Sequence, residues 1–161
     1  MLVTLALGGM MTVVAIVVHL AGVLLLLHLL RRNAHQATAA RNGRDLARQL
    51  ALIVIVTLGI FIVHGVEIWL YAFAYVLSGA LPDLPTAVYF SAVSYSTLGF
   101  GDIVLGPEWR IFGAFEGVTG LILIGWSSAF LLSVTSRLRM LEHDWEAYAK
   151  RARPERRRKR N

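Results

Sequence analysis

Long apolar stretches alternate with short charged ones along this chain. Residues 1–30 hold no Asp, Glu, Lys or Arg, residues 50–82 hold only Glu67, and residues 109–136 hold only Arg110 and Glu116. Each stretch exceeds the roughly 20 residues an α-helix needs to cross a bilayer, so the pattern predicts three transmembrane helices, over 2–30, 50–77 and 109–136. Between the last two lies a segment, 85–101, that is also uncharged but shorter and interrupted by glycines. Asp83 and Pro85 mark the start of a short helix there, over 86–96, with proline in the first turn, where its missing N–H costs least. That helix is about 16 Å long at 1.5 Å per residue and reaches only to mid-membrane. Irregular backbone at that depth is tolerated only where protein or water surrounds it.

Composition sharpens this into a fold class. The chain has 161 residues, 57% of them hydrophobic, and its mean hydropathy is +0.61. The expectation is an all-α membrane protein of three transmembrane helices plus a re-entrant helix and loop. Four segments follow: 1–30, an N-terminal transmembrane helix; 31–49, a basic linker with some helical character; 50–136, the central apolar unit; and 137–161, a basic tail. The first stretch lacks a basic start, is too long for a signal peptide's apolar region and shows no cleavage site before Arg31, so a retained helix is expected. With no cysteine, the chain has no disulfide chemistry.

Charge sets the expected orientation. Of the sixteen Lys and Arg, Arg31, Arg32, Arg41, Arg44 and Arg48 lie in the linker, ten follow Ser136, and only Arg110 falls elsewhere. The positive-inside rule places linker and tail in the cytoplasm, with the N-terminus and the re-entrant loop outside. The net charge of +6 is thus a topology signal. No nucleic-acid partner is called for, and the linker and tail are expected against anionic lipid. Trp69, Tyr71, Phe73 and Tyr75 end the second helix as an aromatic belt at the outer interface.

Residues 89–102 read YFSAVSYSTLGFGD. A hydroxyl-rich half-helix is followed by Thr97-Leu98-Gly99-Phe100-Gly101-Asp102, between two long apolar segments. This resembles the pore helix and selectivity filter of tetrameric potassium channels, where the filter reads T-V-G-Y-G-D. A dehydrated potassium ion needs oxygen ligands on every side, and one strand supplies them only if successive carbonyls point the same way. Gly99 and Gly101 permit the required alternation of handedness, since glycine takes positive φ without steric cost. The resemblance implies that the carbonyls of Thr97, Leu98, Gly99 and Phe100, with the Thr97 hydroxyl, line a file of K+ sites closed by Gly101. One motif per chain is one wall, so a homotetramer is implied. It further implies that Asp102 braces the filter through a hydrogen bond with Tyr89, thirteen residues earlier, within or between subunits. Phe100 and Leu98 depart from the family's tyrosine and valine, and the lost hydroxyl bears on the firmness of the filter.

The third helix would line the pore, and Gly120 and Gly125 are its hinge candidates, each equally explained by close packing. His64 and Glu67 share a face of the second helix, and Glu116 is expected at similar depth on the third. A His64–Glu67–Glu116 cluster would either couple the filter to protons or a divalent metal, or staple the helices together. His19 and His28 are read as ordinary buried or interfacial histidines. Leu138, Leu141, Trp145 and Tyr148 form a helical stripe in the tail, with Glu146 and Lys150 paired at i,i+4. The stripe either bundles tails beneath the pore or lies on the membrane.

No catalytic spacing is present, and an enzyme is not expected. Nor is there an arginine ladder for voltage sensing, and a nucleotide- or calcium-binding regulatory domain does not fit after the last helix. The function implied is passive K+ conduction, in the plasma membrane of a prokaryote. Its alternatives are a weakly selective cation channel and a non-conducting, pore-like subunit that senses metal or protons.

Overall fold

The computed structural model describes residues 2–34 and 44–137. These form four helices with no strand among them: α1 (Leu2–Ala34), α2 (Arg44–Leu77), α3 (Leu84–Tyr95) and α4 (Arg110–Arg137). Three apolar spans, Leu2–Arg32, Leu50–Leu77 and Arg110–Ser136, are each long enough to cross a membrane. In hydrocarbon a spanning segment has no water to satisfy its N–H and C=O groups, and a helix pairs them all internally. The protein is an all-α membrane protein.

Two boundaries differ from the sequence reading. α1 continues four residues past 30, and α2 begins six residues before 50. Both extensions are polar and basic rather than apolar. Arg31 and Arg32 sit in the last turn of α1, where cations complement the negative end of the helix dipole. Arg44–Gln49 is rich in good helix formers. Hydropathy marks where a helix enters lipid, not where it ends. The tail stripe of Leu138, Leu141, Trp145 and Tyr148, the Glu146–Lys150 pair and Arg41 lie outside the described residues.

Contacts fix the arrangement. Gly22 faces Val63 and Gly59 faces Leu26, so α1 and α2 run antiparallel. Thr12 Oγ1 lies 2.9 Å from Thr119 Oγ1, and His19 lies beside Ser127, so α1 and α4 run parallel. The start of α1, the end of α2 and the start of α4 therefore share one end of the bundle. α3 is wedged there between α2 and α4, and its 12 residues span about 18 Å, too little to cross.

The end of α2 is a Schellman cap. Gly79 takes φ 72, the Ala80 amide donates to the Tyr75 carbonyl at 2.9 Å, and the Gly79 amide donates to Val76 at 3.1 Å. This satisfies carbonyls that α2 would otherwise leave orphaned. α3 opens with Asp83 as N-cap, its carboxylate accepting from the Thr86 amide at 2.9 Å. That bond to the backbone holds the Asp83 carboxyl below its ordinary range.

The main core sits around α3. Tyr71, Tyr75, Ala87, Tyr95, Phe112 and Leu123 are buried there. The Tyr75 ring meets Phe90 and Phe112 edge-on, both with centroids 5.2 Å apart, a favoured aromatic geometry. The expected aromatic belt is thereby split. Trp69 and Phe73 face outward, but Tyr71 and Tyr75 are buried, because alternate residues at the end of α2 fall on opposite sides of the helix. A smaller core of Val56, Ile60 and Val134 closes the other end.

α4 passes so close to α3 that a Cβ on Gly120 would stand 2.0 Å from the Tyr95 carbonyl oxygen, whereas one on Gly125 would meet nothing within 4 Å. Close packing thus accounts for Gly120, and Gly125 is left as the hinge candidate. Gly120→Ala is expected to destabilise the fold by about 1–3 kcal/mol through overpacking, with Gly125→Ala near neutral. Thermal unfolding of the two variants in detergent measures the difference.

Candidate functional site: the 97–101 strand and its supports

Residues 97–101, an irregular extended segment rather than a β-strand and called the strand below, grow out of the C-terminus of α3. Ser96, the C-cap, remains in the right-handed region, and its hydroxyl donates to the Ala92 carbonyl at 2.6 Å. The Thr97 amide donates to Ser94 at 3.0 Å, and the Leu98 and Gly99 amides both donate to Val93, at 3.0 and 3.3 Å. The last carbonyls of the helix are in this way consumed by the first amides of the strand.

Beyond that point the backbone alternates. φ is positive at Thr97 (61), Gly99 (58) and Gly101 (77) and at neither Leu98 nor Phe100. A Cβ on Gly99 or Gly101 would meet nothing within 4 Å, so glycine is required there by handedness, not by space. Thr97 is the surprise. A β-branched residue at positive φ is a genuine outlier and costs on the order of 1–3 kcal/mol. The motif names the two glycines but not this third reversal, which a threonine does not signal.

Among the described residues, no hydrogen bond engages the carbonyls of residues 97–101. Both large side chains of the strand are displayed, Leu98 at 62% and Phe100 at 65% exposure. The Phe100 ring does not pack behind the strand of its own chain. A cavity of about 150 Å³ lies there instead, lined by Phe90, Val93, Ser94, Gly99, Gly101 and Ile103 among others. Across its rim the Tyr89 hydroxyl donates to Asp102 Oδ2 at 2.7 Å, within one chain. That bond holds the Asp102 carboxyl below its ordinary range.

The buried ionisable groups form two networks. Glu116, fully buried on α4, accepts from the Tyr75 hydroxyl at 2.6 Å and from the Ser91 hydroxyl, joining α2, α3 and α4. Glu67, fully buried on α2, lies 3.0 Å from His19 Nδ1 and 3.0 Å from His64 Nδ1, and it accepts from the Tyr95 hydroxyl.

Residues 51–137, over half of the chain, match the family model described as an ion channel. The chain belongs to the ion channel family. No curated protein and no solved structure matches it.

The strand, its glycines and its Tyr89–Asp102 tie all fall inside the matched region of the channel. So do His64, Glu67 and Glu116, but the single cluster expected of those three does not form. His64 and Glu67 meet each other, whereas Glu116 bonds with Tyr75, eight residues and about 12 Å further along α2 than Glu67. The two carboxylates are therefore at different depths, because the α2–α4 register is set by α3 wedged between them. His19 takes the place expected of Glu116. That His19, an ionisable side chain near the centre of α1, has some polar partner was legible, since such groups in a membrane nearly always do, but which partner was not. His28 is exposed, as an interfacial histidine is expected to be.

Two outcomes follow from this geometry. Glu116→Ala leaves the Tyr75 and Ser91 hydroxyls without their acceptor and is expected to cost about 1–3 kcal/mol for each donor stranded. Glu116→Gln keeps an acceptor oxygen and most of the stability, and thermal unfolding distinguishes the two. Because the Asp102 pKa is lowered in the folded channel, its tie to Tyr89 is present above the ordinary carboxylate pKa and is lost only as pH falls through the lowered value. Current stability should thus be unchanged by acidifying the side of the membrane that carries Asp102 to about pH 5. Tyr89→Phe should speed the loss of current severalfold at either pH, and recordings in which Tyr89→Phe decays like the parent would count against the brace.

Proposed function

We propose that the channel conducts potassium passively through a pore in which residues 97–101 of four identical chains face a common axis. The observation that carries this reading is the strand itself. Its φ alternates in sign over five residues while the Thr97, Leu98 and Gly99 amides are tied back to α3 and, among the described residues, its carbonyls have no hydrogen-bond donor. Free carbonyls are costly at membrane depth, and a desolvated cation is the partner that turns that cost into a binding site. The cations held in this way, at Thr97, Leu98, Gly99 and Phe100, are the transported substrate.

Two further features support the arrangement. α3 ends at the strand, so the negative end of its dipole favours a cation there. The strand and its apolar side chains are open on one side, as one wall of a closed ring would be. The exposed stripe of α4, with Val118, Leu121, Ile122 and Gly125, continues below the strand and would line the inner pore. The start of α1 and the strand share one end of the bundle, opposite Arg31 and Arg32. By the positive-inside rule the N-terminus and the filter then face outward and the basic end faces the cytoplasm, against anionic lipid. A compact design of this kind suits the plasma membrane of a prokaryote.

Phe100 favours one specific alternative. It lacks a hydroxyl and makes no bracing bond, so a softer filter that passes sodium as well is the reading to test against. Purified protein in liposomes should pass potassium in preference to sodium, and barium should block the flux. Equal passage of both ions would replace potassium selectivity with weak cation selectivity. Absence of flux across a range of pH and divalent metal would overturn conduction in favour of a non-conducting subunit built on a pore scaffold.

A further inference from the structure

Two histidines and one carboxylate from different helices meet inside the bundle, away from the strand. His19 comes from α1, His64 and Glu67 from α2, and one ligand atom from each lies within 4.8 Å of the others. His19 Nδ1 is 3.0 Å from Glu67 Oε1, and His64 Nδ1 is 3.0 Å from Glu67 Oε2. His19 and Glu67 are buried, and the His64 side chain is partly buried, 15% exposed. The Tyr95 hydroxyl lies 2.9 Å from His64 Nδ1 and donates to Glu67, which brings a fourth polar group to the same point.

We infer that His19, His64 and Glu67 form a binding site for one divalent transition-metal ion of the zinc class. Tetrahedral coordination with bonds of about 2.0–2.1 Å sets ligand atoms roughly 3.4 Å apart. The nitrogen-to-oxygen separations already present, 3.0 Å, are within a few tenths of an ångström of that, and the ligand atoms, all within 4.8 Å of one another, would close by up to about 1.4 Å around an ion. Two imidazoles and a carboxylate suit zinc, cobalt or ferrous iron, whereas magnesium and calcium prefer all-oxygen shells.

The ring of His19 is oriented for this role. Its second nitrogen, Nε2, lies 3.4 Å from Ser127 Oγ on α4. A ligating imidazole commonly donates its remaining N–H to such a partner, which fixes both tautomer and ring direction. The Trp126 ring stacks with the His19 ring, centroids 6.1 Å apart. An approach exists as well. A cavity of about 260 Å³ between α1 and α4 reaches His19 past Leu20, Val23, Ala129 and Ser133. The occupied site would join α1 to α2 and, through Tyr95, to the last turn of α3 before the strand. It stands independently of which ion the strand passes.

The test uses the 161-residue chain in lipid nanodiscs, with His28, His35 and His143 replaced by Gln to remove other imidazoles. Cobalt is added and its visible absorption followed. One cobalt per chain is expected, with a spectrum typical of nitrogen and oxygen ligands, displaced by zinc but not by magnesium or calcium. His19→Gln and His64→Gln should each weaken binding at least tenfold. Ser127→Ala, which leaves all three ligands in place, should weaken it severalfold. Zinc should also raise the melting temperature of the parent and not of the His64→Gln variant. Absence of a cobalt spectrum in the folded parent would overturn the site without requiring any variant to fold. Binding that survives both histidine replacements would overturn it equally.

Discussion

Hydrocarbon offers no water to a peptide group, and that single constraint organises this molecule. Three helices answer it along their whole length. The short α3 answers it by handing its last carbonyls to the amides of the strand that follows. What is left over is a row of carbonyls on residues 97–101 with no donor among the described residues. In a soluble loop such a row would be hydrated and unremarked. Here it is held beside three membrane helices, and only cations, water or further protein can satisfy it.

A second consequence of the same constraint is the way α1 is attached. Apolar burial gives little reason for one helix to prefer another over lipid. Attachment must come from close packing and polar contacts, and α1 supplies both. Gly22 admits Val63, Thr12 meets Thr119, and His19 reaches Glu67 on α2 and Ser127 on α4. Glu67 also receives Tyr95, the last residue of α3. The N-terminal helix is thereby connected to the base of the strand through one carboxylate. The second carboxylate, Glu116, anchors the middle of the same short helix through Ser91, so the middle and the C-terminal end of α3 are both held by buried acids.

Much of this was legible in the chain because the signals were local. Hydropathy located the three spans to within a few residues where they enter lipid, and Asp83-Leu84-Pro85 announced α3 through its cap. Gly99 and Gly101 announced two of the three reversals in the strand. What was not legible depended on register between helices. Nothing in the sequence says that His19 rather than Glu116 stands opposite Glu67, since that follows from how far α1 slides along α2 and where α3 wedges α2 from α4. The distinction between Gly120 and Gly125 is of the same kind, because only the position of the Tyr95 carbonyl separates a packing glycine from an open one. Tyr71 and Tyr75 read as an interfacial belt by composition, yet the core around α3 claims both rings.

The central claim is that the unpartnered carbonyls of residues 97–101 become ion ligands when identical chains close around an axis. The most direct measurement is an electron cryo-microscopy reconstruction of the protein in lipid, prepared once in potassium and once in a large organic cation. The account predicts four copies with the strands facing one another, and density on the axis between them that is present in potassium and absent or rearranged without it. A particle in which the 97–101 strands face lipid, or are covered by another helix with no axial ion, would contradict it.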